Sequence, residues 1–144
     1  MQMERKSQIL AKKTRQWRRT HRYLSLSLAI LLLISAITGL LLGWKKESDL
    51  IQPPTLKGTT TNMSEWKSMH QLDSIATKTL EQHNLSTKLD RVDVRPAKGI
   101  VKFQYAPGHW EIQIDAASGE VLSVEKRYSD LIEQIHDGSI ISDG

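Results

Sequence analysis

Residues 23–44, YLSLSLAILLLISAITGLLLGW, hold no charge and no proline, and nearly every position is apolar or small. A helix rises 1.5 Å per residue, so this stretch reaches about 33 Å, enough to cross a hydrocarbon core of about 30 Å. Soluble core helices keep a polar face, and this run has none. Water inside a bilayer cannot satisfy backbone N–H and C=O groups, so a lone apolar segment there must be helical. Tyr23 and Trp44 bracket the run where amphipathic rings favour the headgroup region. The expected frame is one membrane helix with a tail on each side.

Charge orients that frame. Residues 1–22 carry eight Lys or Arg against the single acid Glu4, a net +7, whereas residues 45–144 carry twelve bases against fifteen acids, a net −3. Basic residues beside a membrane helix are retained on the cytoplasmic side. The expectation is a cytoplasmic N-terminus and an extracytoplasmic C-terminal part in the cell (inner) membrane. The apolar run is longer than the core of a secretory signal, and Ser35-Ala36-Ile37, the nearest imitation of a cleavage site, lies inside it. An uncleaved signal-anchor is expected. The chain has no cysteine, which excludes disulfide exchange and thiol catalysis.

The basic tail, residues 1–22, can form a helix continuous with the span and is expected along the inner membrane surface, each Lys or Arg contributing about 1 kcal/mol near anionic lipid. Such a short tail beside lipid argues against nucleic acid as its partner. Within the span, Ser35, Gly39 and Gly43 recur every four residues on one helix face. Small residues so placed let a second helix approach closely, and the partner is a copy of the chain or another protein. Gly is also common in membrane helices generally. Residues 45–63 read as a connector, with Lys45 and Lys46 at the interface, Pro53-Pro54 and a Thr-rich stretch, lifting the folded part off the bilayer.

A small domain follows over residues 64–128. Ser64 is a candidate N-cap for a helix over residues 65–83, in which Trp66, Met69, Leu72, Ile75, Ala76 and Leu80 recur at helical spacing. The period then becomes two. Val92 and Val94, then Val101, Phe103 and Tyr105, then Trp110, Ile112 and Ile114, then Leu122 and Val124 mark short strands separated by Pro- or Gly-bearing turns. Close turns imply antiparallel neighbours with one buried face, which the helix covers. Residues 129–136 read as a last short helix inside a segment, 129–144, that ends as a tail. The fold class is α+β, a single N-terminal transmembrane helix followed by a helix packed on an antiparallel sheet of three to four strands.

The stretch RRTHRYLSL (residues 18–26), leading to Thr38-Gly39, resembles the first membrane helix of the PepSY-associated transmembrane proteins. The later helix, the meander, the Asp115-x-x-Ser118-Gly119-Glu120 turn and the LIEQIHDG segment (residues 131–138) resemble a PepSY domain and the family's L-H-x-G segment. Ser25 stands where the family often has Gly. The L-H-x-G segment normally leads into a further membrane helix, so the chain to residue 144 corresponds to a short version of the family or to part of one. The resemblance implies a bacterial, membrane-anchored binding or regulatory module, with an envelope peptidase as a candidate partner through a sheet edge at residues 92–95 or 122–125. An alternative it implies is an accessory component of a haem-dependent iron or siderophore reductase, with His21 as the haem ligand and a reductase subunit as partner. A relative without independent activity is a third option.

Histidines are the candidates for chemistry. His21 lies at the cytoplasmic interface, and His136 matches the family's outer-side histidine. The span separates these two by about 30 Å, too far for one iron, although a homodimer could pair two His21 side chains. His70 and Asp73 lie three apart on a helix, His83 falls on another face, and His109 follows a turn. Phosphate loops, nucleophile elbows and H-E-x-x-H helices are all missing from the sequence. No catalytic residue and no metal ligand is assigned, and the expectation is a module that binds rather than an enzyme.

Overall fold

A computed structural model describes residues 2–141. One uninterrupted helix, α1 (Gln2–Gly43), holds both the basic tail and the apolar run. Its Gln8–Gly43 portion is long and apolar enough to cross a membrane. Two hydroxyls inside the run are satisfied locally. Ser27 Oγ donates to the Tyr23 carbonyl at 3.0 Å, and Thr38 Oγ1 donates to the Ile34 carbonyl at 2.8 Å. Such back-bonding spares a polar group from facing lipid unpaired.

The folded part is a four-stranded antiparallel meander in the order β1 (Leu89–Arg95), β2 (Ile100–Tyr105), β3 (Trp110–Asp115) and β4 (Val121–Lys126). Phe103 pairs with Val92 on one side and Ile112 on the other, and Ile112 pairs with Val124. One apolar row therefore crosses the sheet. Helix α2 (Met69–Gln82) covers that face, where Leu72, Ala76 and Leu80 pack with Val101, Phe103, Ile112 and Ile114. The fold is α+β with one membrane-type helix, as the sequence pattern implies.

Two local expectations are corrected. Helix α2 starts at Met69, not near Glu65, and its cap is Ser68 rather than Ser64. Ser68 and Gln71 form a reciprocal capping box, while Lys67 N–H donates to the Ala116 carbonyl at 2.8 Å and pulls the preceding backbone out of helical register. Residues 63–65 form only a single 3-10 turn, capped by Asn62. The second correction concerns residues 45–63. They do not form a free spacer. From Ile51 onward this segment crosses the second face of the sheet, where Leu56 N–H donates to Gln113 Oε1 at 3.0 Å and Gln113 Nε2 donates to the Pro54 carbonyl at 2.8 Å. Gly58 then passes so close to Gly99 that an added Cβ would lie 2.2 Å from the Gly99 carbonyl oxygen. Only glycine fits that crossing.

A third helix, α3 (Tyr128–Asp137), follows β4 and ends at Gly138 in a left-handed conformation. Its Ser129 N–H donates to the Ile51 carbonyl at 2.8 Å, so the chain enters and leaves the domain side by side. Helix α3 packs back on α1. Residues 142–144, within the expected tail, lie outside the described residues.

Candidate functional site

Side chains on the second face of the sheet alternate with the core, and a sheet with a single buried face would leave them in water. Instead Lys102, Gln104, Glu111 and Gln113 are buried. Two ladder pairs, Lys102 with Gln113 and Gln104 with Glu111, bring them together. Glu111 Oε1 accepts from Lys102 Nζ at 2.9 Å and from Gln113 Nε2 at 3.0 Å, and its Oε2 accepts from Arg127 Nη1 at 3.0 Å. Arg127 Nε in turn donates to Asp130 Oδ1 at 2.8 Å, and Arg91 lies 3.6 Å from Asp130 Oδ2. Every charge in the buried part has an opposite partner and further hydrogen bonds, the condition under which burying ions is tolerated. The network ties the sheet to the first turn of α3.

Beside it opens a cleft of about 790 Å³ between α3, the start of β1 and the β2–β3 hairpin. Lys88, Asp90, Arg91 and His109 stand on the sheet side, with Asp130, Glu133 and Asp137 along α3. These three acids recur at helical spacing, so one face of α3 is acidic and looks across at a wall of mixed charge. Strand β1 is an edge of the sheet, and it carries a register irregularity between Leu89 and Arg91. The cleft thus reaches the start of that edge strand.

At its far end α3 meets α1. His136 Nδ1 lies 2.9 Å from Thr38 Oγ1. The Thr38 hydroxyl proton is already given to backbone carbonyls, so its lone pair accepts from Nδ1–H of the imidazole. Beside it, Gly39 makes room, because an added Cβ would sit 3.2 Å from His136 Cε1. Thr38 is 7% exposed, and Ser35, Gly39, Leu41 and Leu42 around it are half-buried.

The other candidates scatter. Of the small-residue ridge, Gly39 faces His136 of its own chain, Ser35 is half-buried, and Gly43 has open space around it. His21 is exposed on α1, with Nδ1 3.4 Å from Ser25 Oγ. His70 is exposed and Asp73 half-buried on α2, His83 caps the C-terminus of α2, and His109 sits in the hairpin turn with φ of 54°. Thr38, the anchor of His136, is 17 residues from His21, about 25 Å along the helix axis. These two histidines do not fit one haem iron, and among the described residues no group of three or more His, Asp or Glu could hold a metal ion. Within a single chain the donor set does not suit a haem held by two histidines.

Asp115 organises the turn after β3. Its carboxylate accepts from the Ala117 N–H at 2.8 Å, the Ser118 N–H at 3.2 Å, the Thr59 N–H at 2.8 Å and the Thr59 hydroxyl. Burial alone would raise its pKa, but these donors outweigh it and bring the pKa down to about 2. Burial pushes the Tyr105 phenol, in the core, up to about 12, with Thr77 beside the hydroxyl opposing the rise and the Asp73 charge adding to it.

Sequence reasoning missed the Lys102–Glu111–Arg127 network and the pairing of His136 with Thr38. Both join residues far apart in the chain, and alternation in a strand reads the same whether the polar row meets water or another segment. Comparison with curated proteins and with solved structures found no match. A family described as the PepSY-associated TM region matches residues 18–143, from the basic end of the span through α3. That match takes in the membrane helix, the meander and the α1–α3 junction as one unit, and the chain belongs to the PepSY-associated transmembrane family.

Proposed function

We propose that this protein is a membrane-anchored binding and regulatory module whose domain takes an extended segment of an envelope protein, a peptidase being the leading candidate. The observation that carries this reading is the cleft beside β1. It sets the start of an edge strand, which offers main-chain donors and acceptors to an added strand, opposite the acidic face of α3. Strand addition draws affinity from the backbone and specificity from flanking side chains. A segment lying along β1 would set basic side chains toward Asp130, Glu133 and Asp137, and acidic ones toward Lys88 and Arg91. Through Arg127 and Asp130 the occupied cleft bears on α3, and through α3 on the membrane helix. The charge asymmetry supports a cytoplasmic basic tail and a domain on the opposite side of the cell membrane.

The test is site-specific photocrosslinking from Lys88 and Asp93 in intact cells, followed by assay of the captured protein with the full-length module in nanodiscs. The expected result is capture of one envelope protein from both positions, weakened by Lys88→Glu, with its activity altered by the module. Absence of capture from either position, with peptidase activity unchanged, refutes the reading. A haem-reductase accessory role would need a second chain to supply the other axial ligand. A haem absorption band, lost in His21→Ala, would replace the binding-module reading with that one.

A further inference from the structure

We propose that the domain does not stand off the membrane: the apolar side of α3, together with the end of α1, rests in the lipid of the leaflet that meets Trp44. Three observations lead there. Thr38 precedes Trp44 by six residues, about 9 Å along the helix axis. The Thr38–His136 contact at 2.9 Å therefore holds the end of α3 below the level of the interfacial tryptophan. At that level α1 shows exposed Ile37 and Leu40, and α3 shows Ile135 at 38% and Ile140, just beyond it, at 46% exposure.

The faces of α3 divide accordingly. Asp130, Glu133 and Asp137 line the cleft, while Leu131, Ile132 and Ile135 occupy other positions around the helix. A short helix with one acidic and one apolar side is suited to the boundary between water and acyl chains. The membrane-facing rim extends beyond α3. Leu50 is 84% exposed, and Tyr128 is exposed beside it, next to Trp110 with Lys126 5.3 Å above its ring. Aromatic rings and snorkelling lysines favour the headgroup layer. Lipid is the occupant because the Thr38–His136 contact joins this patch to the apolar surface of α1, the part of the chain suited to cross a membrane. A second copy of the chain would instead bury Ile135 and Ile140 away from acyl chains.

The chain has no cysteine, so single cysteines report cleanly. Ile135→Cys, Ile140→Cys and, as a control on exposed α2, Met69→Cys would each carry an environment-sensitive fluorophore on full-length protein in nanodiscs. Lipids bearing a spin label on the acyl chain are then introduced. The labels at 135 and 140 are expected to emit at shorter wavelength and to lose most of their intensity, while the label at 69 keeps both. Equal quenching at all three positions, or none at 135 and 140, overturns the proposal. Blue-shifted but unquenched labels that crosslink between chains also overturn it, in favour of a second copy.

Discussion

Glu111→Ala is the sharpest test of the buried network. Glu111 is fully buried and accepts three side-chain hydrogen bonds, from Lys102, Gln113 and Arg127. Its removal takes from the Lys102 ammonium, 1% exposed, the carboxylate it pairs with at 2.9 Å, and takes one of two acidic partners from Arg127. Removing one partner of a buried pair costs about 3–5 kcal/mol, because the remaining charge stays desolvated. For a domain of this size that corresponds to a fall in melting temperature of roughly 15 °C or more. The assay is thermal unfolding of the full-length protein in micelles, followed by near-ultraviolet circular dichroism, which reports the packed aromatics rather than the membrane helix. The double variant Lys102→Met/Glu111→Leu removes both charges and should recover most of the loss, since an apolar pair of similar volume is often neutral. A single-variant loss below about 1 kcal/mol, the range of an exposed pair, would show that the network is wet, and the reasoning would be wrong.

Other expectations follow from single contacts. Tyr105→Phe deletes a buried hydroxyl that makes no well-formed hydrogen bond, with only Thr77 beside it, so it should leave stability unchanged or raise it by about 1 kcal/mol, read by the same unfolding curve. Gly58→Ala forces a Cβ against the Gly99 carbonyl and should cost about 3 kcal/mol, with amide exchange faster at Gly58, whose N–H bonds the Lys98 carbonyl. The Asp115 carboxyl falls from 3.8 to about 2 on folding, so its stabilisation is whole above the unfolded value and fades as pH drops from about 4 toward 2. That amounts to about 2 kcal/mol, and Asp115→Asn should flatten this acid limb in a pH series of unfolding midpoints. Gly39→Leu places a side chain where the His136 ring lies, and should separate α3 from α1, seen as a longer spin-label distance between the two helices.

Much of the fold was legible because it follows local rules. An unbroken apolar run dictates the span, and alternation at Val92, Val101 to Tyr105 and Trp110 to Ile114 dictates strands. The turn at Pro107-Gly108 and the stop at His83 followed likewise. What escaped had non-local causes. Lys67 leaves the helix because Ala116, nearly fifty residues on, takes its N–H. Lys102, Gln104, Glu111 and Gln113 read as solvated because alternation says which side a residue faces, never what lies there. The connector looked free because Pro and Thr suit an extended path equally well in water and against a sheet. Of the junction, His136 and Gly39 were each visible, but Thr38 is 98 positions from His136, and no periodicity links them.

The Ser129–Ile51 hydrogen bond has an architectural consequence. Chain entry and exit lie at one point, as in domains that tolerate transplantation into a host loop. Residues 52–128 are thus built like a cassette slotted between two membrane-adjacent helices. Exchanging that cassette between relatives would replace the sheet side of the cleft while leaving the anchor and the acidic face of α3 as they are.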